Sequence, residues 1–179
     1  MSIRILFIII LMQVLDTSAI GQLPDASEFL HDGIKSAPFI FEGTVLSSTG
    51  YWNTDSTMIY TSHIVKVDLV IRECPGVISK DDSTCIIVTV GGIVGTIIAT
   101  RSHSLSFGPG QKGIFFAMPT VKPQNPEEPP SANLLLEPFN NIFIEYYFDE
   151  SNPAASYRSV IFESHKEVYN YVIARMKQE

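Results

Sequence analysis

A chain of 179 residues is long enough to bury one sizeable core, and 45% hydrophobic with 17% charged residues is a globular composition. The formal net charge is −7, from 12 basic and 19 acidic residues. An acidic surface repels phosphate backbones and anionic lipid, and no basic run with interleaved aromatics occurs, which argues against nucleic acid as a partner.

The first residues read as a secretory signal peptide over 1–21. Arg4 supplies the positive start, Ile5 to Leu15 is apolar except for Gln13, and Ala19 and Gly21 occupy the small-residue positions before Gln22. About eleven apolar residues fall short of the roughly 20 needed to cross a bilayer, so no membrane span is expected after cleavage. Residues 22–179 are then expected to form a single domain, secreted or periplasmic.

Next in the chain, "LPDASEFLHDGIKSAP" predicts a short helix, with Asp25 as cap, Glu28 three residues on and Gly33 as its end. Pro38 disfavours helix before it and opens an extended segment. "FIFEGTVLSS" then predicts a strand, with Gly43 marking a bend or bulge. After a polar loop holding the only Trp, Met58 to Arg72 alternates without interruption. Ile59, Thr61, His63, Val65, Val67, Leu69 and Ile71 form its expected inward face. At roughly 3.3 Å per residue the segment would extend about 50 Å, too far for a flat strand in a domain of this size. Such a strand must coil, as when a sheet closes into a barrel.

"CIIVTVGGIVGTIIATRSHS" adds one or two strands, and Gly91-Gly92 is either a hairpin turn or a kink at a barrel corner. A Gly108-Pro109-Gly110 turn leads into the apolar strand "GIFFAMP". The Pro-rich stretch at about 119–133 is expected to be a long surface loop or a linker. "NLLLEPFNNIFIEYYFDE" resumes the strands, with Asn140-Asn141 as a turn within it, and "SYRSVIF" is a further short strand. The chain closes on an amphipathic helix, with Ser164 and Glu167 as its capping box and Val168, Tyr171, Val172, Arg175 and Met176 at helical spacing.

Cys74 and Cys85 flank a short loop between two strand-like segments, and in an oxidising compartment they are expected to form a disulfide. No metal-ligand spacing, G-x-S-x-G elbow or H-E-x-x-H motif is present, so no cofactor, metal or catalytic residue is expected. His63 on the inward face is expected to be a buried, hydrogen-bonded histidine. His31 and His165 fall on helices and are expected at their polar surfaces. Tyr51, Trp52 and Asn53 lie in the polar loop "STGYWNTDST", and Arg101 and His103 in "TRSHSLS". Aromatic residues in polar loops tend to be contact residues, so these five are the candidate partner surface. Trp52 is alternatively a plug folded over the open end of the barrel.

The pattern "FIFEGTVLSSTGYWN…MIYTSHIVKVDLVI…IIVTVGGIVG…LSFGPGQKGIFFA" resembles the OB-like barrel domains found near the N-terminus of exported Gram-negative bacterial proteins with C-terminal sorting domains. More distantly it is similar to netrin and tissue-metalloprotease-inhibitor barrels. The resemblance covers Phe39 to Met118 and implies a five-stranded barrel without established catalytic residues. Gln22, not cysteine, would begin the mature chain, so the zinc-chelating route of those inhibitors is not expected.

Together these readings give a mainly β protein: a closed or nearly closed five-stranded OB-like barrel with a short N-terminal and an amphipathic C-terminal helix. The expected function is an exported, non-enzymatic binding or accessory module for an extracytoplasmic protein or glycan. The alternatives are an inhibitor or regulator of an exported protease, and a hydrolase in which His63 or His103 meets a carboxylate.

Overall fold

The computed structural model describes residues 26–74, 83–102, 104–126, 134–146, 155–157 and 160–177. The expected signal peptide, the Asp25 cap, His103 and residues 127–133 of the Pro-rich loop lie outside the described residues.

Strand β1 (Phe39–Trp52) pairs antiparallel with β2 (Ile59–Arg72) on one side and β6 (Lys112–Pro119) on the other. β3 (Thr84–Val90) follows β2, and β7 (Leu136–Tyr146) follows β6. A parallel bridge between Ile87 and Leu136 brings β7 back against β3 and closes the five strands into a ring. β8 (Ala155–Tyr157) and β9 (Val160–Phe162) extend the sheet beyond β7. β4 (Gly92–Val94) and β5 (Ile97–Ala99) form a separate hairpin. The expected mainly β, nearly closed five-stranded architecture with two helices is the one observed.

The ring forms because several strands are apolar on both faces. In β1, Phe39, Phe41 and Val45 point inward while Ile40 points outward. In β6, Phe115 and Ala117 point inward while Ile114 and Phe116 point outward. One sheet layer therefore separates two cores. The inner one is aromatic: Phe41 stacks on Phe115 at 5.1 Å between centroids, and Phe115 meets Phe143 at 4.6 Å. The outer one is covered by α1 (Ala26–Ser36) and α2 (His165–Met176), through Leu30, Ile34, Val168 and Val172. Burying each such side chain stabilises the fold by about 1.5–3 kcal/mol relative to exposure.

The over-length strands coil through three irregularities in the β1–β2 register. Leu46 on β1, and Asp68 and Ile71 on β2, have no partner across the pair. Each extra residue bends its strand and reverses the facing of the residues beyond it. The expected inward parity of β2 therefore holds at Val65 and Val67 and then fails: Leu69 is 44% exposed and Ile71 packs on the outer core. Gly43 lies at one irregularity, as expected, because a Cβ there would stand 2.6 Å from the Lys66 carbonyl oxygen.

Four further expectations are corrected. Gly33 does not end α1, which runs to Ser36; Gly33 is buried, and a Cβ on it would collide with Ile142. The helix end is instead held by Arg72, whose Nη1 donates to the carbonyls of Ile34, Lys35 and Ala37 at 2.7, 2.9 and 2.9 Å. This is a cation placed on orphan helix C-terminal carbonyls. Asn140-Asn141 is not a turn. β7 runs through it, with both residues at positive φ (51° and 53°) where Phe139 to Ile142 face Phe116 alone. Asn tolerates that conformation better than most residues.

The Cys74–Cys85 bridge is not formed. Both cysteines are free; Cys85 is buried opposite Val65, while Cys74 follows Arg72 at the far end of β2. β2 continues to Arg72, well past the Lys66–Thr84 end of its pairing with β3, so the two thiols do not stand opposite each other. Burial pushes the Cys85 thiol pKa up and keeps it protonated.

At the C-terminus, Ser164 Oγ accepts from the Glu167 amide at 3.2 Å, as its capping role requires. The Glu167 carboxylate reaches back to the Glu163 amide at 2.7 Å. His165 is not a polar surface residue: it stacks on Tyr146 with centroids 3.9 Å apart.

Candidate functional site

The end of the ring where β1 meets β2 is built around a short loop. Asn53 Oδ1 accepts from the amides of Thr57 and Met58 at 2.9 and 2.8 Å, and Asn53 Nδ2 donates to Thr57 Oγ1 at 3.0 Å. Asn53 is therefore the organiser of this loop. Tyr51 faces away from solvent. It is 5% exposed, its hydroxyl donates to the Pro123 carbonyl at 2.5 Å, and its ring stacks with Tyr60. Tyr51 ties the loop to the segment following β6. Trp52, the next residue, is half-buried.

The Gly91-Gly92 ambiguity resolves as a kink. Both residues have positive φ (97° and 138°), and the chain leaves the ring there to form the β4–β5 hairpin. The hairpin turn itself is Gly95-Thr96, with Gly95 at φ 59° in the first position, where a two-residue turn favours glycine. Gly50 of β1 lets the hairpin lie close over the ring, since a Cβ there would stand 2.2 Å from the Ile93 carbonyl oxygen. The hairpin turns Ile93, Ile97 and Ile98 to solvent at 61%, 51% and 68% exposure. β-Branched residues in that number on a two-stranded tip form an apolar rim.

Three clefts surround this rim. One, of about 330 Å³, is lined by Trp52, Met58, Ile59, Ile97, Ala99 and Arg101 among others. A second, of about 300 Å³, lies against the hairpin at Ile93, Ile98 and Leu105. A third, of about 360 Å³, is polar: its walls include Ser102, Ser104, Lys122, Glu137 and Asn141. Volumes of this size lie at the small end of ligand pockets. Val90 and Arg101 line all three.

Below the rim, the interior is filled by Phe107, from the segment between β5 and β6, rather than by Trp52. Phe107 packs on Phe143, Phe115 and His63 with centroids 5.1, 5.4 and 5.1 Å away. His63 is 1% exposed and spans two hydroxyls, with Nδ1 2.8 Å from Ser48 Oγ and Nε2 2.9 Å from Thr89 Oγ1. The Ser48 hydroxyl donates its proton to the Phe107 carbonyl at 2.9 Å. Ser48 can then only accept from His63, so Nδ1 carries the ring proton and Nε2 accepts from Thr89. Burial lowers the His63 pKa to about 4 and keeps the ring neutral. His63 is thus the buried, hydrogen-bonded histidine expected. Among the described residues no carboxylate meets its ring nitrogens, and its protonated nitrogen faces Ser48, so it is not set to take a proton from that hydroxyl.

On the outer side of the ring, Lys112 pairs with Glu42 at 3.1 Å and Asp68 at 3.5 Å. Burial alone would raise the Asp68 pKa, but hydrogen bonds from Lys66 and Thr44 and the Lys112 charge outweigh it and leave it lowered. This is a partly exposed ion network of β1, β2 and β6, and no group of His, Cys, Asp and Glu suited to a metal occurs among the described residues.

Of the five candidate contact residues, the structure brings Trp52 and Arg101 into one cleft. It buries Tyr51, uses Asn53 within its own loop, and leaves His103 outside the described residues. Sequence reasoning missed the hairpin isoleucines and Phe107. The first were hidden because an apolar strand reads as core; the second stood in "SLSFGPG", an aromatic before a turn that could have been marked. Among the described residues no helix is long and apolar enough to cross a membrane. No protein-family model matches the chain, and no curated protein matches it.

Proposed function

We propose that the protein is an exported, non-enzymatic binding module that takes its partner, a protein or glycan outside the cytoplasm, at the rim around the β4–β5 hairpin. The observation that carries this reading is the meeting of Trp52 and Arg101, distant in sequence, in one cleft beside three exposed isoleucines. A half-buried Trp beside an arginine is a composition enriched among the residues that dominate binding energy. The signal-like leader supports export, and the resemblance to OB-like modules of exported proteins supports a role in recognition at a barrel end and its loops.

The test uses residues 22–179 as bait in the exported fraction of the native host, wild type against Trp52→Ala. Loss of the recovered partner in the variant is expected. Equal recovery by both proteins overturns the rim as the binding surface.

A further inference from the structure

We propose that the rim holds a carboxylate on Arg101, and that its ligand is a peptide C-terminus ending in an apolar residue. The inference rests on the rim as the binding surface and names the ligand class.

Arg101 is exposed and lies where the apolar and polar clefts meet. It forms no ion pair among the described residues. The acid among the described residues that line the shared polar cleft is Glu137, and Lys122 pairs with it. A guanidinium presents a planar fork of donors that matches a carboxylate with two parallel hydrogen bonds.

The walls on either side specify what is attached to that carboxylate. Trp52, Met58, Ile59, Ile97 and Ala99 make one neighbouring wall apolar, with no carboxylate or amide side chain among them. With Thr57 and Thr100 as the cleft's hydroxyl groups, this wall suits an aliphatic side chain on the carbon next to the anion. Asn141 and Ser102 supply amide and hydroxyl groups on the other side, where peptide N–H and C=O groups need partners, and Ser104, whose hydroxyl donates to the Val90 carbonyl at 2.9 Å, can still accept. An apolar pocket, a carboxylate fork and flanking amide partners occur together at a peptide's free C-terminus.

Trp52 is the only tryptophan, so its emission reports on the cleft. The probes are acetyl-Gly-Ser-Ala-Leu with a free carboxylate, the same peptide amidated, and a digalacturonic acid. The free-acid peptide is expected to shift Trp52 emission saturably and to bind about tenfold or more tightly than the amide, since a charge-assisted fork is lost with the charge. Arg101→Gln should erase that difference while leaving the circular dichroism unchanged, because the side chain is exposed. Equal binding of acid and amide, or a difference that survives Arg101→Gln, overturns the carboxylate assignment but leaves the rim as a binding surface. Binding of the digalacturonic acid alone overturns the peptide in favour of an acidic glycan. No response to any probe overturns the peptide-terminus assignment, and whether the rim reading falls with it is decided separately by the Trp52→Ala bait.

Discussion

Two arginines stand at opposite ends of β2 and are treated in opposite ways. Arg72, at its last position, gives one nitrogen to three carbonyls at the end of α1 and locks that helix to the sheet. Arg101, in the cleft beside β2's first residue Ile59, forms no ion pair among the described residues. The same contrast holds for the apolar residues. Around the ring's waist, Phe41 and Phe115 are at most 1% exposed, whereas Ile93, Ile97 and Ile98 on the hairpin are more than half exposed. One region of the molecule buries its apolar groups and engages its cation; the other leaves three isoleucines and a cation at the surface.

Stability measurements can break that contrast. The largest effect is expected from Phe115→Ala, which opens a cavity among Phe41, Phe107 and Phe143 and should cost about 3–5 kcal/mol. Ile98→Ala on the hairpin should cost about 0.5 kcal/mol or less, as an exposed substitution does. Urea unfolding of both variants checks this, and similar losses would mean the hairpin is core rather than rim.

Acid should act through the polar chain under the rim. The folded state holds His63 near pKa 4, against about 6.5 when unfolded, so between those values the unfolded chain binds the extra proton. Stability should therefore fall as pH drops from about 6.5 to about 4, by up to about 3 kcal/mol from this residue. Carboxylates such as Asp68 also lose stability as pH falls, so the measurement is the difference between wild type and His63→Gln. Parallel pH profiles for the two would show that His63 is not held neutral.

The smallest and sharpest comparison sets the two arginines side by side. Arg72→Met orphans helix carbonyls and should cost about 2 kcal/mol, while Arg101→Gln should change stability by less than about 0.5 kcal/mol. Comparable losses would remove the distinction between a structural and a presented cation.

Much of the architecture was written locally. Two-faced apolar strands, a capped final helix and an over-length strand needing to coil arise from the period-2 and 3.6 patterns and from side-chain chemistry at the caps, and each is seen. Gly43 announced its irregularity because only a residue without Cβ fits against the Lys66 carbonyl. The burial of His63 was legible for a similar reason: it lay on an apolar face, flanked by residues that had to point inward.

What the chain alone could not decide was everything that depends on register. Extra residues at Asp68 and Ile71 reversed the facing of β2, because a bulge is settled by pairing between strands and leaves no mark in their alternation, and the extension of β2 past its pairing with β3 left Cys74 and Cys85 unpaired. The same holds for the rim. "IVGTII" has the composition of buried strand, and only the kink at Gly91-Gly92, which carries it off the ring, turned those isoleucines toward solvent beside Trp52 and Arg101. Hydrophobic patterning fixes which residues seek burial; closure of the ring decides which of them find it.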